Sequence, residues 1–303
     1  MHTLILSITF SVMVSVFLKL ARRCQVRIEQ AIAMNYVTAC ALCLWLLRPP
    51  LESLGRQTPA GWALLGLLGV LLPTVFLIMA AAVRQAGIVL SDTAQRLSLI
   101  IPILAAFLVF HEALSGQKGL GILLALGALA CLLRRPAGAS AQSDAPAGGI
   151  ASADGNATGA SDLKGRLAWL TLLGVWAGYG TIDILFKQMA RTGSGFTSTL
   201  LLSFALAAVL MGLWLLIRRT RWHARSLASG ILLGALNFSN IYFYIRAHQT
   251  YPDNPTLVFA AMNIGVISIG TLVGAGLFRE RLSRTNAVGI ALALAAIVLL
   301  FPR

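Results

Sequence analysis

Two stretches decide how this chain is read: Phe110-His-Glu-Ala-Leu-Ser-Gly-Gln-Lys-Gly-Leu-Gly-Ile-Leu-Leu-Ala-Leu126 and Phe278-Arg-Glu-Arg-Leu-Ser-Arg-Thr-Asn-Ala-Val-Gly-Ile-Ala-Leu-Ala-Leu294. A shift of 168 residues lays one on the other, so that Glu112 meets Glu280 and Gly121 meets Gly289. The same shift pairs Lys19 with Lys187 and Gly66 with Gly234, which carries the register from the first apolar segment of each copy to the last. Compositional bias alone does not hold one register over that distance. The chain is therefore read as two copies, residues 1–134 and 166–303, joined over 135–165 by a flexible polar linker rich in Gly, Ala, Ser and Asp.

The solvent of this chain follows from composition. It is 58% hydrophobic and 11% charged, with a mean hydropathy of +0.82, whereas soluble domains carry roughly 25% charged residues. Apolar segments fall near 2–20, 30–47, 61–83, 88–110, 116–133, 166–188, 197–217, 227–246, 255–278 and 284–301. Their lengths approach the roughly 17–25 residues that cross a hydrocarbon core. Inside hydrocarbon every backbone N–H and C=O needs a partner within the segment, so runs of this kind are helices. The expected fold is an all-α polytopic membrane protein with ten transmembrane helices. Five spans per copy is an odd number, so the second copy enters the membrane upside down, giving two inverted five-helix repeats. The first segment has no basic residues before it and no Ala-x-Ala site after it, so it reads as a span and not as a cleaved signal.

A formal charge of +14 could point to nucleic acid, but the Lys and Arg residues sit in the short gaps between apolar segments. That placement is a topology signal, and nucleic acid is excluded as a partner. Alternate gaps, beginning with the first, hold sixteen Lys and Arg near span ends, while the other gaps and the termini hold seven. The positive-inside rule then places both termini outside.

Each copy closes with Phe-x-Glu-x-Leu-Ser, a few residues, Gly-Ile and an Ala/Leu-rich last helix. This pattern resembles the EamA-like family of the drug/metabolite transporter superfamily, over essentially the whole chain outside the linker. The resemblance implies a bacterial inner-membrane transporter with a central cavity built mainly from the first, third and fourth helices of each half. It implies export of metabolites or amino acids. No cofactor is expected, and the chain is expected to be a monomer or weak homodimer. The resemblance also implies termini in the cytoplasm, against the charge count.

Polar groups at membrane depth are costly and so are candidates for function. In the fourth span Asp92 and Arg96 lie four apart on one helical face, with Arg96 roughly 12 Å into the span. They are either a self-neutralising pair packed against a neighbour or a split site, with Arg96 holding a carboxylate and Asp92 an amine or a proton. The 168-residue shift places Asn263 opposite Gln95, while Asp92 and Arg96 map onto Ala260 and Ile264, which makes the expected cavity electrostatically lopsided. Asn237, Asn240 and Tyr244 form a polar stripe on the eighth span with His248 just beyond. Trp176, Tyr179, Asp183 and Lys187 form another on the sixth, and Ser7, Ser11, Ser15 and Lys19 a third on the first. Asp183 and Lys187 read mainly as structural, with Lys187 snorkelling to the headgroups; the serines read mainly as helix packing. Glu112 and Glu280, just before Leu-Ser turns, read as caps of the following helix or as gating groups. Pro73, Pro102 and Pro255 mark places where spans bend or break.

No metal or cofactor motif is read. His-Glu-x-x-His and Gly-x-Ser-x-Gly are absent, the four histidines are dispersed, and Cys40-x-x-Cys43 lies inside an apolar span as a packing pair, so an enzyme is disfavoured. The expectation is a secondary transporter of small zwitterionic solutes such as amino acids, with proton coupling through Asp92. The alternatives are an exporter of hydrophobic cations, resting on Trp176, Tyr179 and Tyr244, and an uncoupled channel.

Overall fold

In the computed structural model the described residues are 2–23, 26–50, 58–133, 158–192, 195–278 and 283–301. Every regular element among them is helical: α1 (His2–Arg23), α2 (Ile28–Leu42), α3 (Pro59–Gln85), α4 (Ile88–Leu97), α5 (Ile100–Leu108), α6 (Gly116–Leu133), α7 (Thr158–Ala190), α8 (Phe196–Ile217), α9 (Ala224–Thr250), α10 (Pro255–Phe278) and α11 (Arg284–Leu300). One π-helical turn, Cys43–Leu47, prolongs α2. Among the described residues seven helical segments are long and apolar enough to cross a membrane, and shorter apolar helices cover His2–Leu18 and Arg284–Leu300. Leu108, Trp45, Trp169 and Ile217 are 74%, 72%, 75% and 72% exposed. Side chains of that size are normally inside a soluble protein; here they face lipid, and the chain is a multi-pass membrane protein.

Local chemistry sets the helix ends. Thr58 caps α3 by accepting from the Gly61 N–H at 3.2 Å, with Pro59 at the first helical position, where its missing N–H costs nothing. Ser283 caps α11 through the Asn286 N–H at 3.1 Å. Gly87, at φ +86°, turns the chain between α3 and α4 in a conformation that a side chain would oppose.

Two expectations change. The single fourth span, 88–110, is broken into α4 and α5 at Ser98 and Leu99. Pro102 contributes no N–H to the turn before it, and the carbonyls left at the break find other donors. Ser98 Oγ donates to the Gln95 carbonyl at 2.6 Å, and the Trp176 indole N–H donates to the Leu97 carbonyl at 3.2 Å. At the other end of the linker, α7 begins at Thr158, inside the stretch assigned to it; residues 134–157 lie outside the described residues.

Helix contacts follow a regular scheme. α1 packs on α9 and α10 while α7 packs on α3, α4 and α5. α2 packs on α9 while α3 packs on α8, and α2 also meets α8, α5 meets α10 and α6 meets α11. Small residues allow the closest approaches. A Cβ on Gly234 would lie 2.7 Å from the Asn35 carbonyl oxygen and one on Gly230 2.7 Å from that of Ala31, so α9 rests directly on the α2 backbone. At the α6–α11 contact a Cβ on Gly121 would meet Leu300 at 2.8 Å, and one on Gly289 would meet Leu132 at 2.8 Å. Cys43 and Cys40 face α8, their thiols 3.6 Å from the Thr197 carbonyl and 4.0 Å from the Leu201 carbonyl.

Candidate functional site

A cavity of about 170 Å³ lies between α1, α3, α4, α7, α9 and α10. Its walls are Leu72, Val75 and Phe76 from α3 and Ile182, Phe186, Ile241 and Val266 from the second half. The polar groups converge from four helices: Gln95 and Arg96 from α4, Tyr179 and Asp183 from α7, Asn237, Asn240 and Tyr244 from α9, and Asn263 from α10. Gln95 and Asn263, paired by the 168-residue shift, thus line one cavity.

Hydrogen bonds hold these groups in place. The Tyr244 hydroxyl donates to Asp183 Oδ1 at 3.0 Å, and Asn263 lines the same cavity. Asn263 Nδ2 also reaches back to the Phe259 carbonyl at 3.2 Å. Ser7 donates to Asn240 Oδ1 at 3.0 Å, which orients that amide with its acceptor occupied; this serine is therefore more than a packing residue. Phe186 meets the Tyr244 ring edge-on at a centroid distance of 6.1 Å. The cavity amides present both donors and acceptors to whatever occupies the space.

The charges do not fall where the sequence placed them. Arg96 lines the cavity, but Asp92 does not; its side chain is 49% exposed against 18% for Arg96, and the two meet at 3.5 Å between Arg96 Nε and Asp92 Oδ1. Asp92 sits one turn nearer the start of α4, half-exposed, where a carboxylate costs less than it would when buried. The cavity carboxylate is Asp183, which sequence reasoning set aside as structural. Its spacing of four from Tyr179 was the available signal; it was masked by the equally spaced Lys187, which suggested an ion pair. Among the described residues no ion pair joins Asp183 to Lys187 or to Arg96. The cavity charges therefore come one from each copy, the cation from the first and the anion from the second, and not both from the first.

Three more assignments are corrected. Trp176 does not line the cavity, because its N–H serves the break between α4 and α5. Lys187 does not snorkel; it is 2% exposed and donates to the Pro252 carbonyl at 2.6 Å. Glu112 caps a helix of the other copy, not the following one alone. Its Oε2 accepts from the Thr256 N–H at 2.9 Å and the Thr256 hydroxyl at 2.6 Å, at the start of α10, while Oε1 accepts from Lys118 of α6 at 2.8 Å. Glu280 lies outside the described residues.

Glu112 also lines a second, wider space of about 960 Å³, a vestibule at the ends of α5, α7 and α9 and the start of α10.

No family model matches the chain. A solved crystal structure is similar at a TM-score of 0.66 and 14% identity, over 97% of this chain and 94% of that one, a likeness of fold alone. A Haemophilus influenzae protein described as uncharacterized is 48% identical over 309 residues, 99% of this chain and 98% of that one. At that identity, over nearly the full length of both, the chain belongs to the same family as the Haemophilus influenzae protein.

Proposed function

We propose that this protein is a secondary transporter of the drug/metabolite type in the bacterial inner membrane, and that it carries small zwitterionic solutes such as amino acids. The observation that carries this reading is the cavity, in which Arg96 and Asp183 stand as separate charges with the amides of Gln95, Asn237, Asn240 and Asn263 around them. An α-carboxylate suits the arginine fork, an α-ammonium suits the carboxylate, and the amides accept and donate in between. The room is on the order of six water molecules at ~30 Å³ each, and it is smaller than the ~300–1,000 Å³ of pockets for drug-sized ligands. That size favours a compact solute over a bulky hydrophobic cation, as does the absence of Trp176 from the walls.

The helix contacts support two inverted repeats. Under the 168-residue shift α1, α2, α3 and α6 correspond to α7, α8, α9 and α11, and the α4–α5 pair to α10. The contact of α1 with α9 then corresponds to that of α7 with α3, and α2 with α9 to α8 with α3. Gly121 on Leu300 corresponds to Gly289 on Leu132. On this reading of two inverted halves the cavity lies at the repeat interface, where carriers of this construction rock around a fixed site. The broken fourth span lies on only one side of it and gives the first half a joint that α10 lacks. Coupling to protons falls to Asp183, the cavity carboxylate, and not to Asp92.

A ligand-stabilisation screen of the purified protein tests the solute class. Free amino acids are expected to raise the thermal midpoint, and Arg96→Ala is expected to abolish the rise. Stabilisation by hydrophobic cations alone, unaffected by Arg96→Ala, would replace the zwitterion reading.

A further inference from the structure

The vestibule has more positive charge than its own carboxylates can answer. Lys118, Lys187, Arg191 and Arg246 line it against Glu112 and Asp253. Glu112 is fully used, by Lys118 and by both donors of Thr256. Deepest among the remaining cations is Lys187, whose one hydrogen bond among the described residues goes to a neutral carbonyl, Pro252, at 2.6 Å. Glu112 and Asp253 act on it only from beyond ion-pair distance, and a buried ammonium with donors to spare and no close counter-ion is costly. Arg191 joins it, since Lys187 Nζ and Arg191 Cζ each lie 5.9 Å from the centroid of the Phe110 ring.

His248 makes the same point independently. It lines the vestibule at 1% exposure, and neither Nδ1 nor Nε2 has a hydrogen-bond partner among the described residues. Tyr244 and Phe259 meet its ring edge-on at 4.9 and 4.7 Å, which fixes the imidazole plane while leaving the nitrogens unmet. Buried polar groups in native proteins are nearly all satisfied, and an exception beside uncompensated cations is explained by a water or an ion that meets it. What an unpaired ammonium, a guanidinium and an imidazole N–H jointly lack is an acceptor of negative charge.

We propose that the vestibule holds an oxyanion-binding site built on Lys187 and His248, with Arg191 at its rim, that takes a carboxylate or phosphate group. The group belongs either to a free solute or to the headgroup of an anionic lipid. The site is separate from the central cavity and does not depend on what that cavity carries. One layer divides them: Phe186 and Tyr244 face the cavity, while Lys187, the next residue, and His248, one turn on, face the vestibule.

The full-length protein in nanodiscs of phosphatidylcholine provides the test, with inorganic phosphate and acetate titrated in turn at constant ionic strength by calorimetry. Saturable binding of at least one anion is expected, weakened tenfold or more by Lys187→Gln and by His248→Phe. Arg191→Gln, an exposed position that does not endanger folding, is expected to weaken it several-fold. Repeating the titration with phosphatidylglycerol in the disc separates the sources. If that lipid suppresses the binding of free anion in the parent protein, the headgroup occupies the site; if binding persists unaltered, a free anion does. Absence of saturable binding in phosphatidylcholine, or binding that Lys187→Gln and Arg191→Gln both leave intact, would overturn the proposal.

Discussion

The Tyr244 hydroxyl donates to Asp183 Oδ1 at 3.0 Å and so ties α9 to α7 at the wall of the central cavity. A hydrogen bond to a charged group contributes roughly 1.5–3 kcal/mol. Tyr244→Phe should therefore weaken solute binding by about ten- to a hundredfold while the protein still folds. Binding by calorimetry checks it, and an unchanged affinity would remove Tyr244 from the site.

The two members of the helix α4 pair should behave differently. Arg96→Ala removes the cavity's cation and is expected to abolish saturable flux of amino acids. Asp92→Asn touches a half-exposed carboxylate, and such pairs contribute only about 0.2–1 kcal/mol. A few-fold change in flux is the expected ceiling. If Asp92→Asn is as severe as Arg96→Ala in folded protein, Asp92 is part of the site after all.

Gly66 and Gly234 occupy equivalent positions in the two copies yet differ in surroundings. A Cβ on Gly66 would meet nothing within 4 Å, whereas one on Gly234 would lie 2.7 Å from the Asn35 carbonyl oxygen. Gly66→Ala should leave the thermal midpoint in place. Gly234→Ala should lower it, at a cost of about 1–3 kcal/mol, typical of overpacking. Equal midpoints for the two variants would show that α2 and α9 do not meet as described.

Glu112→Ala strips the cap from α10 and leaves Lys118 without its carboxylate. Removing one member of a buried pair costs about 3–5 kcal/mol, so the variant should unfold well below the parent on heating. Glu112→Gln, which keeps an acceptor for Thr256, should recover part of the loss. If both variants match the parent, the carboxylate has no structural role and the gating reading of Glu112 gains ground.

Much of this was legible in the sequence because hydrophobic run length and register are local quantities. Apolar segments located the helices, and the 168-residue shift brought Gln95 and Asn263 together before any coordinates did. The break at Ser98 and Leu99 was not readable from Pro102 alone, since many membrane helices accommodate a proline. It depends on Trp176, a residue of another helix, serving the Leu97 carbonyl. Asp183 was missed for a similar reason. A spacing of four to Lys187 permits an ion pair, and only the fold shows that Lys187 turns to Pro252 while Asp183 turns to Tyr244. Direction around a helix is set by the neighbours it packs against, and those neighbours are distant in sequence.

Counterflow in liposomes tests the central claim most directly. Purified protein is reconstituted into vesicles loaded with an unlabelled amino acid, and uptake of the labelled form is followed for the parent, Arg96→Ala and Asp183→Asn. Saturable, exchange-driven uptake by the parent, lost in Arg96→Ala and reduced at least tenfold in Asp183→Asn, is the expected result. Flux that does not saturate, or that both variants leave unchanged across all amino acids tried, would contradict a zwitterion carrier built around Arg96 and Asp183.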